Sequence, residues 1–160
     1  MKDQFFATYF NTQNSIDIPI DIANYFINKK YKRIVVKITC KEKSMEFHAA
    51  LQKSKNKYYI LFSKEKQKKL NVLVNDGLEI TLSKDTSKYG VEMPEEFEAV
   101  LQSDFDGASL FESLTDGKKR GLIYHILKIK NSQTRIDKAL IIIENLKRGI
   151  RDQRELIKKF

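Results

Sequence analysis

The chain is short of the residues that staple, anchor or punctuate a fold. A single cysteine, Cys40, stands among 160 residues, which excludes an internal disulfide and fits a reducing compartment. Six glycines are scattered, and no glycine-rich fingerprint follows a strand, which removes the common nucleotide-binding loops. The two histidines, His48 and His125, lie far apart, a poor start for zinc, whose sites usually want three or four ligands. No wholly apolar run exceeds five residues, as in "ALIII" from Ala139, against the roughly 20 that span a bilayer. The opening "MKDQFFATYF" places Asp3 and alternating polar residues where a signal peptide needs an unbroken apolar run. These features predict a soluble, cytoplasmic protein with no membrane insertion, no metal and no cofactor.

What is present is enough apolar material for a core, 41% of the chain, in a length suited to one ordinary domain or two small ones. The net charge of +9 is unevenly spread. Residues 1–90 hold 17 bases against 9 acids, residues 91–117 hold 8 acids and no base, and residues 118–160 hold 13 bases against 4 acids. A basic, acidic, basic order predicts segments that attract one another within the fold, so that part of the basic surface is answered internally. That lowers the expectation of nucleic-acid binding that a pI near 9.5 raises.

The first block has strand character. "FFATYFN" (5–11) and "RIVVKITC" (33–40) are rich in β-branched and aromatic residues. "MEFHAAL" (45–51) alternates Met45, Phe47, Ala49 and Leu51 on one face with Glu46 and His48 on the other. "KYYILF" (57–62) and "LEITL" (78–82), the latter entered through the turn "NDG", complete the set. Between those two, "SKEKQKKL" offers a capping serine and one or two helical turns. Few helices among five or six short strands point to a small barrel or sandwich.

Beyond Gly90 the apolar period becomes helical, in "PEEFEAVLQ", "GKKRGLIYHILKIK" and "SQTRIDKALIIIENLKRG". The last is expected to bury Ile136, Ala139, Leu140, Ile143 and Leu146, to leave Lys138 and Asn145 as a narrow polar face, and to stop at Gly149. The only two prolines occupy matched phrases, "IDIPIDIANYF" (16–26) and "VEMPEEFEAVL" (91–101). Proline suits a first helical position and extends its predecessor, while Asp21 and Glu96 suit the first turn beside the helix dipole. Both phrases therefore predict strand-to-helix joints.

Together these stretches resemble a known family. "IDIPIDIANYF", "RIVVKITC" and "VNDGLEITLSKD" are similar to the N-terminal domain, and "VEMPEEFEAVL" with "LTDGKKRGLIYHILKIKNSQTRIDKALIIIENLKRG" to the C-terminal helical region, of YdeI or OmpD-associated, bacteriocin-protection family proteins. The resemblance covers residues 5–149 and is most specific at Arg120, Ile126, Lys130, Thr134 and Arg135. His125 stands where the family usually has tryptophan, and Lys138 where it usually has arginine. The resemblance implies an α+β chain in which a small N-terminal β-barrel (residues 1–90), a double-split, AbrB-like pseudobarrel, precedes a helical region (91–160). It implies no transferable reaction, and the family name points to envelope stress and antimicrobial-peptide resistance.

Among chemical candidates, Glu46 and His48 share a strand face and suit acid–base work or a metal in principle, but the bland alternative is a surface role. His125 reads as a packed histidine and Cys40 as a packing residue without a partner for nucleophilic chemistry. The one constellation with a functional pattern is basic and aromatic. Arg120, Tyr124 and Lys128 recur every four residues opposite Leu122, Ile126 and Ile129, with Lys130, Thr134 and Arg135 beside the following turn. Such a surface takes an acidic protein partner or nucleic acid; its competing reading is a solvated face that balances residues 91–117. The expectation is a non-enzymatic binding or interaction protein, a monomer or weak homodimer. The alternatives are a nucleic-acid-binding protein and an enzyme with a site around His48.

Overall fold

A computed structural model describes residues 2–159. Two compact units divide the chain, the first ending at Thr86 and the second beginning at Ser87. Among the described residues no helix is long and apolar enough to cross a membrane.

The first unit holds strands β1 (Gln4–Tyr9), β2 (Ser15–Ile18), β3 (Arg33–Cys40), β4 (Lys43–Ala50), β5 (Gln52–Ser54), β6 (Lys57–Leu61) and β7 (Gly77–Lys84), with helices α1 (Ile20–Ile27) and α2 (Lys64–Leu70). They form two antiparallel sheets, ordered β1-β7-β3-β4 and β2-β6-β5. No ladder among the described residues closes the two into one barrel. The alternation in β3 and β7 turns Ile34, Val36, Ile38, Leu78, Ile80 and Leu82 inward. There they meet Ile16, Ile18 and Ile60 of the second sheet and Ile22, Ala23 and Phe26 of α1 in one core. Two strands are short: β2 alternates buried Ile16 and Ile18 with exposed Asp17 over only four residues, and β5, at three, is too short to show a period. Ser63 caps α2 by accepting from the Lys66 amide, and Asn71 ends it in the left-handed region at φ 55°.

The second unit is helical: α3 (Glu95–Ser103), α4 (Phe105–Glu112), α5 (Asp116–Leu127), α6 (Ser132–Lys147) and α7 (Gln153–Leu156). Phe97, Phe111, Leu122, Ile123, Ile126, Ile142 and Leu146 build its core. Asp104, Thr115, Asn131 and Asp152 cap α4 to α7 through their side chains, which satisfies amides that lack helical partners. The chain is thus α+β.

Three expectations need correction. Both prolines start helices, but one position earlier than expected, as caps in polyproline-like backbone (φ −52°, ψ 138° at Pro19; φ −62°, ψ 137° at Pro94). Their carbonyls accept from the Ala23 and Glu98 amides at 2.9 and 3.0 Å. Pro19 does follow a strand, whereas Pro94 follows an irregular segment. In α6, Leu140 is 51% exposed and Asn145 only 1%, the reverse of the expected faces. The reason lies beyond α6: the C-terminal turn α7 packs there, and the Asn145 amide answers its carbonyls.

Candidate functional site

Part of the acidic segment is answered by ion pairs within the second unit. Arg135 pairs with Glu96 at 3.5 Å, Lys147 pairs with Asp104, and Lys88 and Lys119 reach Glu112 at 3.1 and 3.5 Å. Each carboxyl is held below its ordinary range. Glu96 is lowered by backbone and Ser132 hydrogen bonds with Arg135 beside them, and Asp104 by Lys147 and the Gly107 amide. At Glu112, burial pushes upward, but bonds from Tyr89 and Lys88 outweigh it. The charge order of the sequence is therefore realised in part, as ion pairs between the acidic segment and basic residues on either side of it.

This decides which members of the basic surface are available. Arg135 donates from Nε to the Ile129 carbonyl at 2.7 Å and from a terminal nitrogen to Leu127 at 3.2 Å, so its guanidinium closes the end of α5. The Thr134 amide and hydroxyl both donate to Asn131 Oδ1. These two residues are engaged in joining α5 to α6. Lys130 is exposed on the connection and Arg120 half-buried on α5. Tyr124, 41% exposed, and Lys128 come together on the wall of a cavity.

That cavity, about 400 Å³, lies between α5 and the α7 segment. Gly121, Tyr124, His125 and Lys128 supply one wall, their three- and four-residue spacing placing them on one helix face. Asp152, Gln153, Arg154 and Ile157 supply the other. The walls are held together by Lys118, whose ammonium donates to the Arg151 carbonyl at 2.9 Å, while Asn145 ties the α7 segment to α6. Gly121 matters here because a Cβ would fall 1.9 Å from Gln153 Nε2. Its absence lets the Gln153 amide lie against α5.

Two cations, Lys128 and Arg154, face one carboxylate, Asp152, and that carboxylate is occupied. Asp152 accepts from the Arg154 and Glu155 amides at 2.9 and 3.2 Å, and those bonds hold its carboxyl below the usual range. His125 brings a buried Nε2 with no hydrogen-bond partner among the described residues. Burial, then Lys138 and Lys128, push its pKa below the ordinary histidine value, so the imidazole is neutral at pH 7. The cavity offers an aromatic ring and two cations beside a neutral imidazole, a set suited to an anionic group. The C-terminal "RDQRELIKKF" reads as a short helix, and α7 occupies Gln153–Leu156 within it, although apolar periodicity gives no sign that it walls a cavity. Its signal was "DQRE", an aspartate followed three residues later by glutamate, the pattern of a helix N-terminus.

In the first unit, His48 Nδ1 lies 2.7 Å from Asp85 Oδ2, and the Asp85 side chain is only 3% exposed. Glu46 is exposed on the same face. Cys40 is buried with Sγ 3.7 Å from Asp76 Oδ2, and burial, followed by Asp76, raises its pKa, which keeps the thiol protonated. Among the described residues no three His, Cys, Asp or Glu side chains gather as a metal site would require.

Comparison with known proteins touches the second unit. No curated protein and no solved structure matches the chain. Residues 90–149, which run from Gly90 through α3, α4, α5 and α6, match the family model described as bacteriocin-protection, YdeI or OmpD-associated, and to that extent the chain is similar to this family.

Proposed function

We propose that the protein is a non-enzymatic binding protein whose second unit docks an acidic protein segment in the cavity between α5 and α7. The observation that supports this reading is the placing of two cations, Lys128 and Arg154, with Tyr124 and a neutral His125 around a cavity whose one acid, Asp152, caps a helix and lies 3.9 Å from Arg154. Arg120 and Lys130 are read as further basic members of the same surface, whereas Arg135 and Thr134 hold the α5–α6 junction. Nucleic acid is the competing ligand for such a surface. It is disfavoured because ion pairs within the unit already engage Arg135, Lys119 and Lys147.

The family description supports a role in bacteriocin protection, and a free, buried cysteine fits a cytoplasmic setting. The two units are read as two domains. The one core shared by its two antiparallel sheets is the support for reading the first as a double-split, AbrB-like pseudobarrel, a likeness of fold that assigns no activity.

Fluorescence anisotropy with a labelled oligoglutamate peptide and with single- and double-stranded oligonucleotides tests the reading. Peptide binding is expected to weaken with salt and to fall roughly tenfold, about 1.4 kcal/mol, in Lys128→Gln/Arg154→Gln. Tighter binding of oligonucleotides than of peptide, with a steep salt dependence, overturns it in favour of nucleic acid.

A further inference from the structure

The two sheets of the first unit have four edge strands, and three are guarded. β4 presents Lys43 and Glu46, β5 is three residues long with Lys53 at its centre, and β2 is four residues long with Asp17. Short length and charge are the usual means of keeping an edge from pairing with another chain. β1 has neither. Its six residues, "QFFATY", include no charge and no proline, and its ladder runs to β7 on one side only. On its outward face Phe5 is 69% and Tyr9 74% exposed, with Ala7 between them. Along its open side runs a groove of about 290 Å³ lined by β1 itself, with the mostly apolar Ile18, Pro19 and Ile20 and the exposed Asp17–Lys57 pair opposite, and Ile20 is itself 55% exposed.

We propose that β1 pairs with β1 of a second copy of this chain, antiparallel and centred on Ala7, so that the four-stranded sheet continues across a two-fold axis. The strand is self-complementary in a way that selects both partner and register. A two-fold axis normal to a continuous sheet sets outward residues opposite outward residues, so the paired positions must sum to an even number. Centring on Phe6 sets Phe5 opposite Ala7, and centring on Thr8 sets Tyr9 opposite Ala7. Centring on Ala7 sets Phe5 opposite Tyr9 of the second copy twice over, with the small Ala7 on the axis. Aromatic cross-strand pairs of this kind favour the ladder. Such an interface is isologous and closed, ending in a dimer rather than a fibre.

Sedimentation equilibrium of the full chain, across micromolar to sub-millimolar concentrations, reads the dimer directly. The wild type is expected to associate to a dimer. Phe5→Lys/Tyr9→Lys sets lysine against lysine at both aromatic positions and is expected to be monomeric. Phe5→Lys/Tyr9→Glu sets lysine against glutamate twice and is expected to dimerise again, an outcome that only the Ala7-centred register produces. Both positions are exposed, so thermal melting of the variants at low concentration should match the wild type. A wild type that stays monomeric, a Lys/Lys variant that still dimerises, or a Lys/Glu variant as monomeric as the Lys/Lys one overturns the proposal. In the first case the edge is left for a strand of a different protein, and in the second another surface forms the dimer.

Discussion

Asn145 of α6 donates from Nδ2 to the carbonyls of Leu156 and Lys158, each at 2.9 Å, and so holds the C-terminal turn over a wholly buried Leu156. An amide at the centre of an apolar helix face is retained because it answers carbonyls that end α7 and have no helical partner. This contact helps to place Arg154 and Gln153 opposite α5, and links the stability of the second unit to the shape of its cavity.

Asn145→Ala leaves those carbonyls without their donor, and the expected cost is about 1–3 kcal/mol. Denaturant unfolding should show a lower midpoint with little change in slope. Affinity for oligoglutamate should fall as well, because the α7 wall is released. A variant as stable as the wild type argues against this role for the amide.

Gly107 lies where α4 crosses α6, and a Cβ there would fall 2.3 Å from Ile143 Cγ2. Alanine normally favours a helix by about 1 kcal/mol over glycine. Here overpacking against a branched, buried side chain is expected to dominate, with a net loss of about 1–3 kcal/mol for Gly107→Ala. Ile143→Ala removes the opposing methyl, so the double variant should be more stable than the sum of the single effects allows. A double-mutant cycle measures that coupling.

The Lys147–Asp104 pair makes the second unit sensitive to acid. The folded carboxyl of Asp104 is depressed, first by Lys147 and then by the Gly107 amide. Its contribution is therefore present above the unfolded aspartate value, about 3.9, and is lost as pH falls through the lower folded value. Urea midpoints should decline below about pH 4. Lys147→Gln should be less stable at neutral pH and show a shallower decline, since the larger cause of the depression has gone.

His125 gives a second pH dependence with its own window. Burial lowers the folded pKa below the ordinary value near 6.5, so the neutral ring is the folded form. Stability from this group is full above the unfolded pKa, falls as pH drops from there, and is lost below the folded pKa. Imidazole NMR resonances should show His125 titrating with a midpoint below 6.5. Binding of an anionic peptide in the cavity should raise that midpoint, because a nearby negative charge favours the protonated ring.

Much of the local structure was legible in the chain because its causes are local. The alternation in residues 33–40 follows from two-residue side-chain periodicity against one buried face, and β3 occupies those residues. Ser63 before "KEKQKKL" and Gly149 after α6, at φ 89°, act through neighbours one to four residues away. The basic, acidic, basic order likewise anticipated attraction between segments, because charge is a property of residues wherever they fold.

Tertiary structure alone decided the rest, for one physical reason: which face of an element is buried depends on what packs against it. The period of α6 sets Leu140 in the apolar stripe and Asn145 on the polar face, yet α7 packs over the amide and buries it, while Leu140 stays half exposed. Arg135 and Lys128 look alike in sequence, yet one guanidinium is consumed by the carbonyls of α5 while the ammonium reaches a cavity. The aromatic row of β1 reads as an ordinary strand until the sheet order leaves it on an unguarded edge.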